Sequence, residues 1–113
     1  MNALTSLAPE NVFRLSERAA ALVTRDAGKR LRAELLALDA ALTAEGRIII
    51  DLAGVDVLTP SFVDEFFGRL VSEFGVKDFQ ARFHIEGADA DWKSLINSVV
   101  QNRLLLDRQA KAG

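Results

Sequence analysis

Few side chains in this sequence could do chemistry, and most of those that could are gathered in its middle. Thr59 and Ser61 offer hydroxyls, Asp51, Asp56, Asp64 and Glu65 offer carboxylates, and Arg25 offers a guanidinium upstream. A serine needs a base to become a nucleophile, and the only histidine, His84, comes with no nucleophile-elbow pattern around Ser61. Asp51 and Asp56 are separated by a turn, and Asp64 and Glu65 are neighbours, so neither pair is preset as an acid/base dyad. Glycine-rich phosphate cradles are missing. With no cysteine, thiolate chemistry, disulfides and sulfur-ligated metals are excluded, and a metal would have to be held by carboxylates alone. No catalytic residue, metal or cofactor is expected, and the chain does not read as an enzyme.

Binding is the remaining chemistry. Ser61 stands where a helix should begin, so its hydroxyl reads first as an N-cap, with Asp64 three residues on mimicking a capping box. The same position suits a phosphoserine, because a helix N-terminus presents free N–H groups and a favourable dipole. Asp64 and Glu65 would repel that phosphate unless a basic group such as Arg25 balances them. Arg25, Asp51, Asp56, Asp64 and Glu65 all fall near helix starts or strand ends. In an open α/β sheet such positions share the carboxyl-end rim, where ligands collect. The expectation is therefore a rim cluster in which Arg25 pairs with Asp64 or Glu65. His84 reads as a surface residue.

The elements that must hold these residues follow from periodicity. Asn11–Leu15 and Ala20–Thr24 are short β-compatible runs. Asp26 is a candidate N-cap for a helix over 27–45, stopped by Gly46, with Leu31, Leu35, Leu38 and Leu42 forming its apolar stripe. Lys29, Arg32, Glu34 and Asp39 lie off that stripe and should face water, while Gly28 suggests a close backbone approach. Arg47–Ala53, with three successive isoleucines, predicts a central strand covered on both faces. The next helix runs from Ser61 to Phe74, capped by Gly75. Its phenylalanines span a wide arc, and Phe67, off the main row, is the candidate for an exposed aromatic at a binding surface. Phe79–Ile85 alternates like a half-buried strand, and a last helix over 91–107 turns Trp92, Leu95, Ile96, Val99 and Leu106 toward the core. The pattern predicts one α/β domain over 1–113, with a small mixed sheet of about four strands and three helices.

Composition agrees with a folded binding module. Half of the 113 residues are apolar, enough for a conventional core, and 14 basic against 16 acidic residues leave a net charge of −2. That balance lacks the electrostatic footprint of a nucleic-acid binder. No run approaches the roughly 20 apolar residues of a membrane span. Met1–Glu10 has no basic residue and no sustained apolar stretch, so no secretory signal is expected and the cytoplasm is the expected location.

The stretch IIIDLAGVDVLTPSFVDEFFGRLVSEFG resembles the STAS domain, the fold of sulfate-transporter domains and anti-sigma-factor antagonists. It is most similar to the uncharacterised STAS-like family of small bacterial proteins. That family's S-F-x-D-E-x-x-G junction is found as Ser61, Phe62, Asp64, Glu65 and Gly68, and its S/T-R-x-x-G-x-x-L segment as Thr24, Arg25, Gly28 and Leu31. The resemblance spans Val23 to about Arg103. It implies a non-enzymatic regulatory module in a kinase/anti-sigma partner-switching system, bound to a histidine-kinase-type ATPase or an anti-sigma-like protein; a second copy of the chain is a further candidate partner for the aromatic surface expected at Phe67. It also implies that Ser61 matches the serine phosphorylated in the antagonists. Thr59 stands where those proteins often have aspartate, and is a second candidate phosphosite; Phe62 stands where they have glycine. The alternative is a sensing domain for an anion or nucleotide bound at the rim.

Overall fold

The three isoleucines become the middle of the sheet. A computed structural model describes residues 12–19, 21–42 and 46–112. Strands β1 (Val12–Arg14), β2 (Ile48–Asp51) and β3 (Phe83–Glu86) lie in the order β1-β2-β3 and are all parallel. Phe13 pairs with Ile50, and Ile50 with Ile85. Ile48 and Ile50 are fully buried and Ile49 is half-buried, as a strand covered on both faces requires. The sheet is thus parallel rather than mixed, with three strands rather than four. Of the expected strand at 20–24 only a parallel bridge survives, Leu22 to Leu58, because Thr24 already caps the next helix. Asn11, Ala20 and residues 43–45 lie outside the described residues.

After β1 a single 3-10 turn, Leu15–Glu17, buries Leu15. Helix α1 (Arg25–Ala41) is capped by Thr24, whose hydroxyl accepts the Ala27 N–H at 3.0 Å, so Asp26 falls inside the first turn instead of capping it. The helix ends at Ala41, short of the expected 45. Gly28, Leu31 and Leu35 are its buried row. Arg32 and Asp39 do not face water as expected: their side chains are only 14% and 12% exposed. Arg32 meets the following helix, and Asp39 receives Arg82 Nη2 on both oxygens, at 2.9 and 2.8 Å.

Helix α2 is continuous over 60–74, composed of an α-helical start (Pro60–Val63), a π-helical middle (Asp64–Gly68) and an α-helical end (Arg69–Phe74). In the middle, the Arg69 N–H reaches back five residues to the Asp64 carbonyl. The widened turns point two successive residues inward, and Phe62, Val63, Phe66, Phe67, Leu70 and Val71 are all buried. This corrects the expectation for Phe67, which is fully buried: its ring stands edge-on to Phe66 at 4.8 Å. Phe66 in turn stacks on Phe62 at 5.5 Å and on Phe13 of β1 at 6.3 Å, seating α2 on the sheet.

Gly75, at φ +85°, ends α2 as expected, but a new helix, α3 (Val76–Arg82), follows at once. The alternation expected from Phe79 begins instead at Phe83. Phe79 and Phe83 are also four apart, so a helical turn buries both, their rings 5.3 Å apart. Asp89 caps α4 (Ala90–Ala112) by accepting the Trp92 N–H at 2.9 Å. Ile96 is buried, and Trp92, Leu95 and Val99 are half-buried. Leu106, expected inward, is 50% exposed, because the inward row is Ile96, Val100, Arg103 and Asp107 and Leu106 lies on its flank.

Candidate functional site

Helix α2 packs against both α1 and α4, and the point of contact is its π-helical middle. Close packing with α1 is possible because Gly28 has no side chain. A β-carbon there would stand 3.0 Å from Glu65 Cβ and 3.1 Å from the Phe62 carbonyl oxygen. The approach brings two rows of charge together. Arg25 Nη1 donates to Asp64 Oδ2 at 2.7 Å and lies 3.6 Å from Glu65 Oε1. From α4, Arg103 grips Asp64 with two parallel bonds, Nε to Oδ1 at 2.9 Å and Nη2 to Oδ2 at 2.6 Å. Glu65 accepts Arg32 Nη1 at 2.9 Å, and the same guanidinium also donates to the Glu65 carbonyl oxygen. Arg69 Nε lies 3.9 Å from Glu65.

The electrostatics follow from this geometry. The hydrogen bond from Arg103 outweighs the opposing effect of burial and, with Arg25, lowers the Asp64 pKa from 3.8 to about 2. Burial works against ionisation of Glu65, but the pull of Arg32, Arg69 and Arg25 wins and lowers its pKa. The Asp64 carboxylate likewise raises Arg103. Asp64 and Glu65 are thus permanently ionised and fully engaged at neutral pH. Such groups are poor proton shuttles; they tie three helices together.

The expected union of Arg25 with Asp64 and Glu65 is present, but the rim cluster as a whole is not. Asp51 turns away to Arg14, whose Nε donates to it at 3.3 Å, and to the Ala53 N–H at 2.9 Å. Asp56 is exposed in the loop before Leu58. His84 is exposed as expected and lies beside Glu86, 3.4 Å away. Among the described residues no three His, Asp or Glu side chains converge as metal ligands.

Ser61 and Thr59 exchange the roles expected of them. Thr59 caps α2, its hydroxyl accepting the Phe62 N–H at 3.3 Å and donating to the Val23 carbonyl. Pro60 then occupies the first helical position, where its missing N–H costs nothing. Ser61 is left in the first turn, exposed to solvent. Val23 and Val57, next in sequence to the two residues of the Leu22–Leu58 bridge, are 39% and 46% exposed.

The periodicity places Arg32 in water and gives Arg103 no role, though Arg103 carries a signal. Arg103 breaks an apolar run at a position in phase with Ile96 and Val100, the helical row that faces α2. A charge in phase with a buried stripe asks for a buried partner.

A small parallel sheet whose crossovers are helices, with a capped helix start beside its carboxyl-end rim, defines an α/β domain of STAS-like build. A family model described as a STAS-like domain of unknown function (DUF4325) matches residues 27–93, and the chain belongs to that family. Neither the curated proteins nor the solved structures contain a chain that matches this one. Among the described residues no helix is long and apolar enough to cross a membrane.

Proposed function

We propose that this chain is a regulatory protein-interaction module that binds its partner through the rim at the start of α2. The observation that carries the reading is the exposed Ser61 in the first turn of α2, at the end of a loop that also exposes Val57, with exposed Val23 in the segment bonded to Thr59. An apolar side chain held in water on the loop before a modifiable serine suits a contact that a phosphate can break. Thr59 is a poor phosphosite, since its hydroxyl holds two backbone groups. Ser61 is the better one. The repulsion that Asp64 and Glu65 would exert on a phosphate is answered by the arginines that already neutralise them. Arg103 alone keeps Asp64 paired, so Arg25, 55% exposed, is available to a phosphate or to a partner's carboxylate. The partner class, a histidine-kinase-type ATPase or an anti-sigma-like protein, rests on the likeness to anti-sigma-factor antagonists. A sensing role at the rim is the alternative, and it would need a cavity there lined by Arg25 and the first-turn N–H groups of α2.

The test is affinity purification of the tagged chain from its host, with intact mass measured on the recovered protein. A specific partner retained by the parent and lost from both Val57→Asp and Ser61→Asp, with Glu73→Gln unaffected, is the expected result. Equal recovery with all variants would overturn the reading. The intact mass is expected to show one added phosphate on the parent and none on Ser61→Ala, and fragmentation of the peptide that carries it is expected to place it on Ser61 and not on Thr59.

A further inference from the structure

The amino ends of β2 and β3 hold a feature that the rim does not use. A cleft of about 420 Å³ opens between β3, α3 and the first half of α4. Its volume falls in the range of small-molecule sites. Phe67, Val71, Phe79, Phe83 and Ile96, all buried core residues, form its floor. Its edges carry Arg47 and Lys93, together with the amides of Gln80, Asn97 and Gln101 and the imidazole of His84. Among the described residues no aspartate or glutamate lines it, although acids outnumber bases in the chain as a whole. Arg47 is held toward the cleft by its bond to the Gln80 carbonyl at 3.2 Å. An apolar floor under two fixed-sign cations, with no described carboxylate in the lining, selects a ligand that is greasy at one end and negative at the other.

We infer that this cleft binds a small amphipathic carboxylate, its aryl or medium-chain acyl body on the phenylalanine floor and its carboxylate between Arg47 and Lys93. The apolar body supplies most of the affinity and the two cations set the polarity. Because Phe67 and Val71 belong to α2, the occupied cleft touches the helix whose other end carries Ser61.

The test is titration of the full chain with octanoate, octanol and octylamine, followed by amide chemical shifts. Octanoate is expected to give saturable shifts confined to Arg47, residues 67–71 of α2, β3, α3 and residues 93–101. Octanol should bind about tenfold more weakly, since it lacks the charge-assisted bonds, and octylamine more weakly still. Arg47→Gln with Lys93→Gln alters only exposed side chains and should erase the preference for octanoate over octanol. Val100→Trp should fill the cleft and abolish binding of both, in a chain whose circular dichroism stays that of the parent. Octanol or octylamine binding as tightly as octanoate, shifts centred elsewhere, or no saturation by millimolar octanoate would each overturn the assignment.

Discussion

Asp64 is the residue on which most of the charge network turns. It accepts from an arginine on α4 and another on α1, and its side chain is only 15% exposed. Removing its charge leaves Arg103 largely buried with only Asp107, 4.0 Å away, to balance it, so Asp64→Asn is expected to cost about 3 kcal/mol in a denaturant titration. Replacing both partners with apolar side chains, Asp64→Leu with Arg103→Met, should recover much of that loss, because the cost lies in the unpaired charge and not in the missing bond. At this scale the sequence was legible for residues that repeat a motif and opaque for those that answer it. Arg25 and Asp64 could be paired on paper because each opens a helix; nothing in the local pattern of α4 announced that Arg103 would reach the same carboxylate. Phe67 was misread for a related reason. It lies four residues after Val63 and four before Val71, both buried, so the inward face of α2 is wider than the row through Phe62, Phe66 and Leu70.

Helix pairing depends on Gly28 more than on any side chain of α1. Alanine in the middle of a helix is ordinarily worth about 1 kcal/mol over glycine. Here the new methyl group would press on Glu65 Cβ and the Phe62 carbonyl, so Gly28→Ala is expected to destabilise by about 1–3 kcal/mol in thermal or chemical unfolding. Lys29→Ala, one residue on and exposed, should be nearly neutral. The two family motifs are explained by this contact. Arg25 and Gly28 on α1 meet Asp64 and Glu65 on α2, while Thr24 caps α1 and Gly68 leaves room for Arg103 of α4, so the two motifs build one joint of three helices. The elements themselves were readable where one period ruled, as in the isoleucine strand and the leucine stripe of α1. They failed where two periods coincided. Phe79 and Phe83 satisfy alternation and a helical turn equally, and the tertiary fold chose the turn. Helix starts slipped by a residue or two because Thr24 and Thr59 cap in place of Asp26 and Ser61, each serving an N–H three positions on.

For the whole molecule the network predicts an acid limb in stability. Asp64 has a lower pKa folded, about 2, than its ordinary 3.8. Its ionised form therefore stabilises the fold above about pH 4, and that contribution, about 2 kcal/mol, is lost as pH falls toward 2. Glu65, shifted in the same direction, adds to the slope. Unfolding free energy measured between pH 5 and about 2 should fall more steeply in the parent than in Asp64→Asn. The class of the fold was accessible from the order of strands and helices, but the all-parallel sheet was not. The strand count was not legible either: Leu22 contributes one parallel bridge instead of a strand, and short polar-flanked runs do not reveal which of the two they will become.

The π-helical middle of α2 sets one more condition, on chain length. A π turn holds one residue beyond the α repeat, so it is where a helix can lose a residue without rotating everything downstream. Shortening α2 by one between Asp64 and Gly68 would leave Ser61 and Phe74 on their present faces and remove one of the paired inward positions. The same deletion at Leu70 or Val71 would turn the end of the helix away from the sheet. Length variation among sequences of this kind should therefore fall inside a regular element, at a spot where gaps are ordinarily forbidden.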